Sequence, residues 1–288
     1  MLTGRSILHV NQDIGRHFSV EKVSGYYNNL IQKVTMQPEL LETDVLPTTL
    51  TEKNERVFFP VAIFQYGLGA YDLFLENTDS TDKYLHKFMQ CLEWAVANQE
   101  PSGAWNNFFF SYPDHPYGAM AQGEGASLLI RGYVQTKDIR YMEAAQRAID
   151  FMLKPVSEGG TTDGDILLEY THLPAVMNGW IFAWWGLYDY VLTTQDKGRY
   201  KEMLDRSCLT LESKLPLFTN TYWSMYDLGG HIASPFYHHL HIAQMQAMYM
   251  LTGHDVFCQY AKRWEKAEHR SSSKIRAFLK KAWQKIRE

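Results

Sequence analysis

Cysteine is scarce in this chain: Cys91, Cys208 and Cys258 are the only three in 288 residues. An odd number, far apart and without a Cys-x-x-Cys pair, leaves no room for a disulfide framework or a cysteine zinc site. It points instead to free thiols in a reducing compartment. No run approaches the roughly 18 apolar residues that a membrane-spanning helix requires. The first twenty residues interleave Arg5, His9, Asp13, Arg16 and His17 with apolar neighbours, so the apolar stretch of a secretory signal is missing. The expected location is cytoplasmic. A surplus of positive charge is absent as well. The net charge is −4, and seven Lys/Arg with one Glu fall between His269 and Glu288, which leaves 21 basic against 31 acidic residues elsewhere. An acidic body makes a poor nucleic-acid binder. Gln122-Gly123-Glu124-Gly125 is not a phosphate loop, because no Lys-Ser/Thr follows it.

Hydrophobic residues make up 45% and charged residues 21%, enough for a large core and against wholesale disorder. Aromatic residues reach 14%, with eight Trp and eighteen Tyr. They either fill a wide core or line a cleft with flat rings suited to sugar faces.

The chain also repeats itself. Segments starting at Val57, Pro116, Pro174 and Ser234, spaced 59, 58 and 60 residues apart, share a Pro/aromatic start, a Gln, Asn or His, small residues and an aromatic end. Each is apolar nearly all round, as a helix buried on most sides must be. Between them lie amphipathic segments, Lys83 to Asn98, Arg140 to Leu153, Tyr200 to Leu215 and Val256 to Trp264. A buried helix followed by an amphipathic one, four times over, predicts an all-α fold, an incomplete α/α toroid of about four inner/outer helix pairs. Residues 1–55 are expected to form a lead-in packed on the toroid, 56–268 the toroid, and 269–288 a basic amphipathic helix. In that last helix Ile275, Phe278, Leu279, Ala282 and Ile286 share one face. It is expected to dock on the body, to tether the chain to anionic lipid at the inner membrane or to polymer-making machinery, or to bind the acidic polymer itself.

The three loops that enter inner helices should gather at one rim: Gln99 to Pro116, Glu158 to Asp165 and Thr219 to Pro235. With them come Glu169-Tyr170, Tyr226-Asp227 and Tyr237-His238-His239 with His241. A carboxylate, three tyrosines and several histidines suit proton abstraction next to a carboxylate. The C–H there is a very weak acid, and inverting the centre needs a base on one face and an acid on the other. Singly these residues have plainer readings: Glu169 as a helix cap, each Tyr as a packing residue. His238, His239 and His241 lack the i, i+4 spacing of a helical zinc pair, so no metal is expected.

In order along the chain, FPVAIFQYGLGAY from Phe59, AMAQGEGASLLIRGYVQTKD from Ala119, LLEYTHLPAVMNGWIFAWWGLYDY from Leu167 and SMYDLGGHIASPFYHHLHIAQM from Ser224 resemble the C-terminal domain of heparan-type D-glucuronyl C5-epimerases. The resemblance runs from about residue 56 to 265. It implies a cofactor-free reaction on an acidic polysaccharide, with Glu169, Tyr170, Tyr226 and Tyr237 as catalytic residues, Glu169 the base and Tyr237 the acid. Gln65, Trp105, Asn106, Tyr117, Gln122, Glu124, Asn178 and His241 are the expected substrate contacts. The animal enzymes carry Tyr-Asp-Leu-Arg-His where Tyr226-Asp227-Leu228 is followed here by Gly229-Gly230-His231. The missing Arg shifts neutralisation of the substrate carboxylate to His231, His238 or Arg131. The β-rich insert that those enzymes carry between the first inner and outer helices is also missing. A uronic-acid polysaccharide lyase on the same scaffold, or a non-catalytic polysaccharide binder, are the alternative readings.

Overall fold

A computed structural model describes residues 10, 12–51, 53–76 and 81–287. Half of the stretch from which no secretory signal was expected, residues 1–9 and 11, therefore lies outside the described residues, as does Glu288 of the tail. The helices are α1 (Ile31–Thr35), α2 (Pro60–Leu75), α3 (Thr81–Ala97), α4 (Ala119–Thr136), α5 (Ile139–Met152), α6 (Met177–Thr194), α7 (Arg199–Lys214), α8 (Pro235–Thr252), α9 (Asp255–Glu268) and α10 (Ser271–Arg287). Two antiparallel pairs of two-residue strands decorate them, β1 (Thr49–Leu50) with β2 (Arg56–Val57) and β3 (Thr162–Asp163) with β4 (Ile166–Leu167).

The inner helices α2, α4, α6 and α8 begin 59, 58 and 58 residues apart. Each packs against the outer helix that follows it, and α4 lies between α2 and α6, with α8 next to α6. Burial follows the sequence pattern. Thirteen residues of α4 are buried, whereas α9 buries only Phe257, Ala261, Trp264 and Ala267. The tightest seam needs glycine: a Cβ on Gly186 would lie 2.3 Å from the Gly123 oxygen, and one on Gly123 would lie 2.5 Å from the Ala183 Cα. Small residues therefore let α4 and α6 approach backbone to backbone. The architecture is an α/α toroid of four pairs, as the repeat predicts.

The lead-in bridges α2 and α8, between which no helix pair stands among the described residues. α1 packs on α2, and Asp13 pairs with His239 of α8 at 2.6 Å. In between, Gly25 to Tyr27 crosses the far ends of the inner helices. Asp72 of α2 accepts from the Tyr26 amide, Arg131 of α4 donates to the Gly25 carbonyl at 2.9 Å, and the Tyr27 hydroxyl donates to Asp189 of α6 at 2.5 Å. These three anchors each occupy the thirteenth position of their helix, some 18 Å from its start at 1.5 Å per residue.

α10 lies against the body by its small residues. It docks, but not by its apolar face. Ser273 and Ala277 are its buried residues, and Gln284 accepts from the Ile232 amide and donates to the Gly230 carbonyl. Small side chains permit close approach there, while Ile275, Phe278, Leu279, Trp283 and Ile286 all point to solvent.

Candidate active site

The four inner helices run in one direction, so their N-termini meet at one end of the ring. The second residue of each helix, Val61, Met120, Asn178 and Phe236, lines the same cavity of 230 Å³. Unsatisfied amides and the helix dipoles give that end a positive potential, which favours an anion. Aromatic faces from Phe59, Phe108 and Phe182 share the wall with polar groups from Gln12, Gln65 and Asn107.

Glu169 enters this cavity from the loop between β4 and α6. The loop is pressed so closely onto α6 and the entry to α4 that a Cβ on Gly179 would lie 2.2 Å from Glu169 Oε2, and one on Gly118, just before α4, would lie 2.0 Å from its backbone oxygen. Burial pushes the Glu169 carboxyl up to about 7, against a hydrogen bond from the Tyr170 hydroxyl that favours the anion. Asn178 Nδ2 donates to its Oε2 at 3.4 Å. Tyr170 is held by its ring, stacked on Phe108 with centroids 4.6 Å apart.

Tyr237 reaches the cavity from the first turn of α8, where Ser234 caps the helix by accepting from the Tyr237 amide at 3.3 Å. Its ring lies 4.8 Å from that of Tyr226, whose hydroxyl donates to the Tyr237 oxygen. Burial, and secondly the nearby Glu169 charge, raise the Tyr237 phenol, which therefore keeps its proton at neutral pH. Tyr226 stands behind Tyr237 on the loop that Asp227 and His231 brace, Nδ1 of His231 lying 2.7 Å from Asp227. The structure thus brings Glu169 and Tyr170 of the β4–α6 loop together with Tyr226 of the loop before α8 and Tyr237 of α8 itself.

The expected substrate contacts divide. Gln65 and Asn178 line the cavity. Glu124 lies fully buried beneath Gln65, whose Nε2 donates to it at 2.9 Å, and burial raises its carboxyl to about 8. The others lie outside the cavity lining. Trp105 is buried, its ring edge-on to Phe64, its Nε1 donating to the Ala95 carbonyl. Gln122 bonds both the amide and the carbonyl of Trp105, and Tyr117 donates to Glu100 at 2.7 Å. Asn106 is not among the residues that line the cavity, although its neighbour Asn107 is.

None of the three replacements considered for the missing Arg lines this cavity. Arg131 is buried at the far end, 2.6 Å from Asp189. His238 lies sandwiched on Trp223 with both nitrogens engaged, by Ser224 and the Trp264 carbonyl, and burial pulls it down to about 4. His241 is buried beside Ser224 and falls well below its usual range, and His231 sits outside the cavity wall on Asp227. The cation in the wall is Lys33 of α1, which sequence reasoning missed. It is the only basic side chain among the described lining residues. Burial lowers its ammonium to about 8, against the opposing pull of Glu124. Away from this cavity, Cys208, Glu212 and His254 offer three atoms within 4.8 Å of one another in an outer groove and could hold a metal ion.

Against known proteins, residues 99–266 match the family model of the D-glucuronyl C5-epimerase C-terminus. The uncharacterized protein MJ1128 of Methanocaldococcus jannaschii is 24% identical over 86% of this chain and 84% of its own length. The D-glucuronyl C5-epimerase of Caenorhabditis elegans is 25% identical over 65% of this chain, which spans only 36% of that enzyme. Among solved structures, cellobiose 2-epimerase from Bacillus thermoamylovorans superposes with a TM-score of 0.52 at 15% identity, over 71% of this chain and 58% of its own. An unsaturated glucuronyl hydrolase variant with a dGlcA-Glc-Rha-Glc saccharide gives 0.51 at 11% identity, over 86% and 66%. These two share the toroidal fold. The family match spans more than half of the chain and takes in Glu169, Tyr170, Tyr226 and Tyr237, and on that ground the protein belongs to the D-glucuronyl C5-epimerase C-terminal family of carbohydrate epimerases.

Proposed function

We propose that this protein inverts C5 of uronosyl units in an acidic polysaccharide, turning glucuronosyl into iduronosyl units. The observation that carries this reading is a carboxylate from the β4–α6 loop and a phenol from α8 delivered to one cavity about the size of a single sugar ring, where four helix N-termini converge. Glu169 takes the C5 proton as a carboxylate. The electron pair left on C5 delocalises into the substrate carboxylate, and Tyr237 returns a proton to the other face. Its phenolate accepts the hydrogen bond of Tyr226 until solvent reprotonates it. Lys33 pairs with the substrate carboxylate, which lowers the cost of the dianion. No cofactor enters this scheme.

The test is incubation with glucuronosyl polymers in deuterated water. Deuterium at C5 together with iduronosyl signals and an intact chain supports the reading. Absorbance from an unsaturated uronate would make the protein a lyase, and binding without exchange would make it a polysaccharide binder.

A pH profile follows from the two shifted groups. The base must be ionised, so kcat/KM in the glucuronosyl direction rises with pH through about 7 as Glu169 loses its proton. It falls through about 8 as Lys33 does the same. Lys33→Met should raise KM roughly 10- to 100-fold, the value of a charged hydrogen bond, and erase the alkaline limb. An alkaline limb unchanged in that variant would remove Lys33 from the scheme.

A further inference from the structure

α10 carries two faces that fit different surroundings. At 100° per residue, Ser273, Ala277 and Gln284 share the side that touches the body. Ile275, Phe278, Leu279, Trp283 and Ile286 lie on the diametrically opposite side, and Leu279 and Ile286 are 61% and 85% exposed. Basic residues flank this stripe along both of its borders. Arg276, Lys280 and Arg287 occupy one side, with Lys280 Nζ 4.7 Å and the Arg287 guanidinium 3.9 Å from the Trp283 ring centroid. Lys274, Lys281 and Lys285 occupy the other. A helix anchored by small residues has no folding reason to turn five large apolar side chains towards water. In the sequence 269–288 seven Lys/Arg stand against one Glu, while the rest of the chain is acidic.

We propose that the outer face of α10 is a docking surface for an anionic lipid bilayer. An apolar stripe on one helix, with Trp at its margin and Lys/Arg along both edges, sinks to the depth of the headgroup boundary while its cations reach the phosphates. A second copy of the chain is the poorer occupant, because stripe-to-stripe packing would set six Lys/Arg of one α10 against six of the other. The docked helix would keep the active-site rim beside the membrane. Gln284 holds Gly230 and Ile232 of the rim loop, and Lys281 Nζ lies 5.9 Å from the centroid of the Tyr226 ring.

The experiment uses the full chain and two sets of vesicles, phosphatidylcholine alone and phosphatidylcholine with about a third phosphatidylglycerol. The chain should sediment with the anionic vesicles at least about tenfold more strongly than with the neutral ones, and NaCl raised from about 0.05 to 0.3 M should release it. The triple variant Phe278→Ser, Leu279→Ser, Ile286→Ser and, separately, the pair Lys274→Glu, Lys285→Glu should each abolish the difference. All five side chains are exposed, and the charge pair and the salt dependence carry the test should the serine variant lose its helix. Equal sedimentation with both vesicles, or binding that survives both sets of substitutions, overturns the proposal. So does a concentration-dependent dimer dispersed by the serine variant in a chain that ignores vesicles.

Discussion

Glu169→Gln should stop C5 exchange from glucuronosyl units, by about a thousandfold or more, and should stabilise the fold at the same time. The activity loss is the ordinary value of a positioned general base. The gain in stability comes from the shift that makes the base useful. The carboxyl titrates near 7 in the folded protein and near 4.5 in the unfolded chain. The folded state therefore holds this proton more tightly, and its stability declines as pH rises from about 4.5 to about 7. Above that range Glu169 costs the fold up to about 3 kcal/mol. Glutamine carries no such charge, and Tyr170 and Asn178 still offer it hydrogen bonds. Denaturant midpoints at pH 8 should favour the variant, and the advantage should vanish near pH 4.5. A variant that loses activity and is less stable at pH 8 would mean that Glu169 is a structural carboxylate, with its acid–base role gone.

How much of this was legible beforehand differs by level. The toroid was, because an inner helix must be apolar on most sides and an outer one on a single stripe, and four cycles of about 58 residues repeat that contrast. The position of Glu169, Tyr170, Tyr226 and Tyr237 followed from the same regularity, since residues just before or just inside a repeat start must lie at the ring's N-terminal end. Depth along a helix was the neglected coordinate. Arg131 sits seven residues beyond Glu124, roughly 10 Å further from the rim at 1.5 Å per residue, and so out of reach of any ligand held there. Trp105 and His238 were misplaced for another reason. A ring or an imidazole beside a cavity-lining residue reads alike whether it turns inwards or is consumed by a glycine gap, as against Gly125, or by backbone partners, as with Ser224 and Trp264. Lys33 left no signal, because its five-residue helix has no period to read and owes its place to packing on α2. For α10 the sequence identifies which residues share a face but not which way that face turns, since two hydrogen bonds from Gln284 decide it.

Tyr237→Phe should separate the two halves of the reaction rather than abolish both. With Glu169 intact, a glucuronosyl unit can still lose its C5 proton and regain a deuteron from the same carboxyl group, so exchange without inversion persists. Iduronosyl product should fall by about a thousandfold, the value of the missing acid. From the other side the pattern reverses: an iduronosyl unit needs the Tyr237 phenolate as its base and should show no exchange in this variant. Glu169→Gln should give the mirror image, exchange of iduronosyl units alone. Because burial lifts the phenol well above its usual range while the Glu169 carboxyl stays near 7, the form ready for iduronosyl units, with Glu169 protonated and Tyr237 ionised, is a small fraction at any pH. The substitution itself leaves the Tyr226 hydroxyl short of one acceptor, a cost of about 1 kcal/mol that an unfolding measurement can register separately. If Tyr237→Phe inverts at the normal rate, the acid is another group. If it loses exchange from both faces equally, Tyr237 serves both faces by itself and Glu169 only tunes it.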